Sequence, residues 1–370
     1  MKNIVTQKYS HIRQYFVDFQ NKTISNKGKN KLTKYHQYLG VLILITLLTL
    51  AKEFIINFFV ITQNLRKPST SDWIFYSYQN KEKYIRKISK RKILIVAGSN
   101  ALFGINAKQI EASTGVPTVN FGVSAGLGPD YILYKAKQML KADDIAVLPI
   151  EYTLFYQKKD KQLSELILRN YVISYDHSYL RHLSLVDKLK MLVYPPGLNQ
   201  DDIVTILDLL ENQSPFDKNL IYQKSLERAR LGKCYTGLTL DKNGDEQCNI
   251  TNSPSPDLEK NEQEIEIDAQ EPMDVTGSIR DFCLFAKNNR ITIIPLYPVT
   301  MDFPDYKSER YQNFFTRVKK FWEGEGISFE DSLSQSLIDK KMMFDHPYHT
   351  NDTGRTLRTK QVLEIIKKHI

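Results

Sequence analysis

The chain has 370 residues, 42% of them hydrophobic and 25% charged, which suits one large or two small globular domains and excludes a disordered or fibrous composition. A net charge of +9 would suggest a nucleic-acid partner if it lay on the folded body. It does not: residues 1–70 hold 11 Lys and Arg against 2 Asp and Glu, leaving 40 of each sign in residues 71–370, so nucleic acid is not an expected partner.

Residues 1–37 form a basic arm, with Lys2, Lys8, Arg13, Lys22, Lys27, Lys29, Lys31 and Lys34 against Asp18. Residues Tyr38–Ile61 are mostly apolar and carry no charge except at Lys52 and Glu53. A helix over that segment can cross a hydrocarbon core of about 30 Å. A charge near its centre costs roughly 2.5–3.5 kcal/mol, which the many Leu, Ile and Phe and a snorkelling lysine stem offset. Only Arg66 and Lys67 directly follow the segment, so charge asymmetry predicts a single-pass membrane protein, N-terminus in the cytoplasm and body outside. A buried helix in a cytosol-facing domain is the alternative.

A connector at 62–91, with helical character near Ser77–Ser89, leads into a regular rhythm. Ile93–Ala97 is a continuous apolar run ending at Gly98, as in a strand buried on both faces. A helix at Asn106–Ser113, a strand at Pro117–Phe121, a helix at Tyr131–Leu140 and a strand at Ile145–Ile150 follow. This is the β-α-β-α-β order of a parallel sheet with right-handed crossovers. The rhythm stops over 152–270, read as an insertion that is partly disordered near Asn252–Gln270. Within it, Cys234 and Cys248 flank a hairpin with Asn243-Gly244 at its turn, and a disulfide and two free thiols are both open. Cys283 reads as a buried thiol. No Cys-x-x-Cys pair supports a metal, and no cofactor is expected. A helix at Val275–Asn289, a strand at Arg290–Leu296, a helix at Tyr306–Gly324, a fifth strand at Ile327–Glu330 and a helix at Asp352–His369 complete the pattern. The expected fold is α/β: a three-layer, flavodoxin-like, five-stranded parallel sheet with an insertion after strand three.

Ligands of such sheets sit at the carboxyl ends of the strands. Three segments there carry chemistry. Gly98-Ser99-Asn100 offers a hydroxyl beside backbone N–H groups that can face an oxyanion, although a serine after a strand is more often a helix cap. Asn120 to Gly128 holds three glycines in seven positions, but it is neither Gly-x-Gly-x-x-Gly nor a phosphate loop with lysine. Phe344 to Gly354 brings Asp345, His346 and His349 together before the last helix, as a general base held by a carboxylate requires.

In that order and at those places, the segments resemble the SGNH/GDSL hydrolase superfamily. Gly98-Ser99-Asn100 is similar to its nucleophile block, with Asn100 a departure. Asn120 to Gly126, with Asn120 and Gly122, is similar to its second block, where the oxyanion N–H would come from Ala125 or Gly126. Asp345 and His349 match its closing Asp–His pair with three residues between them instead of two, and His346 is the lower-ranked alternative. The third block, Gly-x-Asn-Asp, is replaced by Pro149-Ile150-Glu151-Tyr152, so Glu151 stands near the place of an oxyanion donor. Membrane-anchored relatives of the alginate-acetylation and teichoic-acid-alanylation type diverge from the full set of blocks in a similar way. The resemblance implies a Ser99–His349–Asp345 triad in an extracytoplasmic esterase or O-acyltransferase acting on acyl esters of a carbohydrate or cell-envelope glycan. The alternative it leaves is an inactive binding or assembly partner of a membrane acyltransferase.

Overall fold

The computed structural model describes residues 14, 38–48, 71–193, 218–248, 250, 254–261 and 272–370. The chain divides into two compact units, Met1–Ile56 and Asn57–Ile370. In the first, residues 38–48 are helical and display exposed Leu39, Leu42, Ile43, Leu44, Ile45, Leu47 and Leu48. Among the described residues no helix is long and apolar enough to cross a membrane. At 1.5 Å per residue the helical part at 38–48 reaches only about 16 Å. The remainder of the predicted span, 49–61, lies outside the described residues.

The second unit is α/β around a parallel sheet of four strands, β1 (Ile93–Ile95), β2 (Thr118–Asn120), β3 (Ile145–Leu148) and β4 (Thr292–Pro295), in the order β2-β1-β3-β4. The apolar runs are strands because both faces are covered. Leu94, Val96, Val119, Ala146 and Leu148 join one core, whereas Ile93, Ile95, Ala97, Ile145, Val147 and Ile294 join another. Helix α1 (Asp72–Ile85) precedes β1, and α2 (Ser99–Gly104) and α3 (Ala107–Thr114) follow it. Outside the insertion, the longer helices that follow are α4 (Gly128–Met139), α5 (Ser278–Asn288), α6 (Glu309–Gly324) and α7 (Asp352–Ile366). Residues of α1, α4, α5 and α6 lie in the first core, and Ala101, Ile110, Val362 and Ile366 from α2, α3 and α7 lie in the second.

The expected fifth strand is absent: residues 327–330 take no regular structure. Side chains fasten this segment at that edge of the sheet, at Tyr297 just past the end of β4, instead of a backbone ladder. The Phe329 ring packs edge-on to Tyr297 at 4.7 Å, and the Asp331 carboxylate accepts the Tyr297 N–H at 2.9 Å. Two short strands, β5 (Thr300–Met301) and β6 (Leu337–Ile338), pair with each other as a separate parallel sheet.

Arg358 of α7 fastens the last helix to this edge. Its guanidinium donates to Asp331 Oδ1 and to Tyr297 O, each at 3.0 Å, and the ion pair is almost wholly buried, at 1% and 0% side-chain exposure. Breaking a buried pair from one side leaves the other charge uncompensated, so Arg358→Met should destabilise the protein by about 3–5 kcal/mol. Chemical denaturation of the purified variant checks this, and a loss below about 1 kcal/mol would contradict the account.

The insertion between β3 and β4 carries helices at Lys159–Ser164, Leu166–Ser174, His177–Leu180, Leu185–Val193, Lys218–Arg230 and Pro256–Asn261. Part of the stretch expected to be disordered is thus helical; residues 251–253 and 262–271 lie outside the described residues. The predicted hairpin is a loop with a single antiparallel bridge, Leu240 to Glu246, closed by a Cys234–Cys248 disulfide. Gly244 alone of the turn pair takes a left-handed backbone, with φ +80°. Asn243 is turned inward, its side-chain Nδ2 donating to Thr118 O at 2.8 Å, while its backbone carbonyl accepts the Asn120 N–H at 2.8 Å. This loop therefore covers the outer edge of β2.

Candidate active site

The three segments meet at the carboxyl ends of the strands. Ser99 opens α2, directly after the turn that leaves β1, and is only partly buried. Gly98 is dictated by crowding: a β-carbon there would strike the Glu151 carboxylate and lie 2.5 Å from Ala125 N. Asp345 and His349 sit on the loop before α7. That loop is pinned beside His349, where Thr350 Oγ1 donates to Phe103 O at 2.7 Å and the Tyr152 N–H donates to Tyr348 Oη at 3.2 Å. The Phe103 ring lies 4.6 Å from the His349 ring, fixing its plane.

His349 Nε2 is 2.8 Å from Ser99 Oγ, and His349 Nδ1 is 2.8 Å from Asp345 Oδ1. These partners assign the neutral tautomer: Nδ1–H donates to the carboxylate, and Nε2 accepts from the serine hydroxyl. Burial works against the Asp345 charge, but the hydrogen bonds from His349 and Tyr235 outweigh it and hold the carboxyl below its ordinary value. The imidazole therefore faces an ionised partner at neutral pH. His346 has a different environment. Burial, then the neighbouring His349, push it down to about 4, its ring stacks on Tyr348, and its Nδ1 accepts the Tyr348 N–H. It is neutral at physiological pH and occupied by its own loop.

The remaining expected residues divide into scaffold and candidate donors. Asn120 is fully buried and donates to Ala101 O at 2.7 Å and Ile105 O at 3.0 Å, tying β2 to α2. Gly122 lets the second loop pass Gly98 O, which a β-carbon would approach to 2.6 Å. Asn100 donates through Nδ2 to Pro149 O at 2.8 Å, joining the nucleophile turn to the end of β3. Glu151, only 1% exposed, accepts Gly98 N–H at 3.0 Å and Asn100 N–H at 3.2 Å. Burial raises its pKa despite these bonds. The amides on either side of Ser99 are thus consumed by Glu151, and the Ser99 N–H lies between them. Gly126 N–H is taken by Ser124 Oγ at 3.3 Å, so of the two expected loop donors Ala125 N–H, beside Gly98, is the one available to an oxyanion.

One residue at this site escaped the sequence reading. Tyr235, from the insertion, donates to Asp345 Oδ2 at 2.6 Å. Its position next to Cys234 was the available signal, because a disulfide fixes the backbone around it. Among the described residues no group of three or more His, Cys, Asp or Glu is placed to hold a metal.

No protein-family model matches the chain, and no curated protein matches it either.

Proposed function

We propose that this protein is a serine esterase or O-acyltransferase of SGNH/GDSL type, working through Ser99, His349 and Asp345. The observation that carries the reading is the continuous relay Ser99 Oγ–His349–Asp345, with 2.8 Å at both steps, assembled from residues 250 positions apart. Ser99 Oγ attacks the acyl carbonyl while its proton passes to His349 Nε2. The tetrahedral oxyanion is held by the Ser99 and Ala125 N–H groups. Collapse expels the alcohol, which takes the proton back from His349. The acyl-serine is then resolved by water, as a hydrolase, or by a second hydroxyl, as a transferase, again with His349 as base.

An acyl ester of a carbohydrate or cell-envelope glycan is the proposed substrate, on the resemblance of the three segments. The proposed place is the outer side of the cell membrane, with residues 38–61 as a single-pass anchor. Two observations support it: the exposed apolar side chains along residues 38–48, and the Cys234–Cys248 disulfide, which belongs to an oxidising compartment. Protease shaving of intact cells distinguishes this from a cytosol-facing body.

Glu151 favours a second reading. Where the resembled family has an asparagine donor, a buried carboxylate stands, and losing one oxyanion donor typically costs about 2.7–4 kcal/mol. A slow or silent triad would then serve as a glycan-binding or assembly partner of a membrane acyltransferase. Treatment of the full-length chain with a fluorophosphonate, followed by intact-mass measurement, separates the two. We expect one adduct per chain. A folded protein that stays unlabelled would abandon the serine mechanism in favour of the binding reading.

A further inference from the structure

Both oxygens of the Asp345 carboxylate have a donor, and the two donors come from opposite parts of the chain. Oδ1 faces His349 Nδ1 on its own loop, whereas Oδ2 takes the phenol of Tyr235, 110 residues away in the insertion. The same phenol oxygen lies 3.1 Å from His349 Nδ1. Burial, then the Asp345 charge, push the Tyr235 phenol far up, so it stays a proton donor over the whole working range.

Tyr235 is also held in place from several sides. Its backbone sits in the left-handed region at φ +57°, a conformation that side-chain-bearing residues adopt only when their surroundings enforce it. Cys234 next to it is bonded to Cys248. Its ring meets Trp73 edge-on at 5.4 Å and leans on Phe103 at 5.3 Å, and Phe103 in turn lies against His349. Two residues further on, Gly237 O accepts from Asn80 Nδ2 at 2.9 Å, which fastens the loop to α1.

We propose that Tyr235 is a positioning residue for the Asp345 carboxylate, delivered by the insertion and kept in register by the Cys234–Cys248 bond. The proposal rests on the serine-triad reading above. With the phenol present, the carboxylate divides its charge between two donors and is fixed in orientation. Without it, Oδ2 loses the phenol donor, and the carboxylate holds the proton on the His349 ring more strongly. The free-base form of the ring is then lost at higher pH, so the acidic limb of the rate profile moves upward, by up to about one pH unit, and the rate at neutral pH falls about tenfold. A tyrosine that only packed the loop would leave the limb where it was.

The test is the second-order rate of fluorophosphonate adduct formation on the full-length chain, followed by intact mass from acidic to alkaline pH. Wild type, Tyr235→Phe, Cys234→Ser/Cys248→Ser and the triple variant are compared. The expected result is a slower Tyr235→Phe enzyme with its acidic limb shifted up, a similar loss in the cysteine pair, and no further loss in the triple variant. If the cysteine variant does not fold, reduction and alkylation of the folded wild type, verified by mass, supplies the same comparison. A labelled wild type whose rate and limb are unchanged in Tyr235→Phe overturns this proposal alone. Independent losses for the disulfide and the tyrosine overturn the role given to the disulfide. A wild type that is never labelled removes the triad reading and this proposal together.

Discussion

Ser99→Ala is expected to lower turnover of a small activated acyl ester by about 10⁴-fold or more and to leave the melting temperature near that of wild type. The chemistry explains the first half. In the proposed mechanism the Ser99 oxygen is the atom that becomes acylated, and water cannot occupy its place with the same alignment to His349 Nε2, 2.8 Å from Ser99 Oγ. The packing explains the second. Ser99 is half-exposed, and the turn around it is held by Glu151 through the Gly98 and Asn100 amides, neither of which needs the Ser99 side chain. Steady-state hydrolysis with thermal unfolding of the same preparation checks both. Retained turnover would assign the activity to another group and remove Ser99 from the mechanism.

His349→Gln should cost a similar factor, while His346→Gln should stay within about tenfold of wild type. The two imidazoles are three residues apart on one loop, yet only His349 bridges the hydroxyl and the carboxylate. His346, pushed down to about 4 by burial and by its neighbour, stays neutral near pH 7, and its Nδ1 already accepts the Tyr348 N–H. Residues that act as a unit are not additive, so Ser99→Ala/His349→Gln should be no slower than Ser99→Ala alone. The same ester assay, run on all four variants, decides this. A silent His346→Gln beside an active His349→Gln would reverse the assignment of the base.

The Glu151 carboxylate explains why this site should work slowly if it works as a hydrolase. The end of β3 supplies an acceptor where the resembled family supplies a donor, and that acceptor is spent on shaping the nucleophile turn. In the proposed mechanism two backbone donors serve the oxyanion, from Ser99 and Ala125.

The order of strands and helices was legible because buried strands and amphipathic helices impose hydrophobic periods that do not depend on their neighbours. β1 through β4 fall inside the predicted runs, and α3, α4, α5 and α7 coincide with the predicted helices to within a few residues. Ser99, Asp345 and His349 were also legible, since each stands at a strand end or directly before a helix. The fifth strand was not. Ile327–Glu330 has a strand-like composition, but whether it pairs depends on its neighbours in the fold, and there Asp331 and Phe329 hold Tyr297, just past β4, with side chains. Lys92, directly before β1, is fully buried against Asp144. Pairing over such distances leaves no trace in local composition. The nucleophile turn, the separation of His349 from His346, and the arrival of Tyr235 on Asp345 are likewise decisions of tertiary structure. Each depends on which groups compete for the same donor or acceptor, and only the folded chain brings those competitors together.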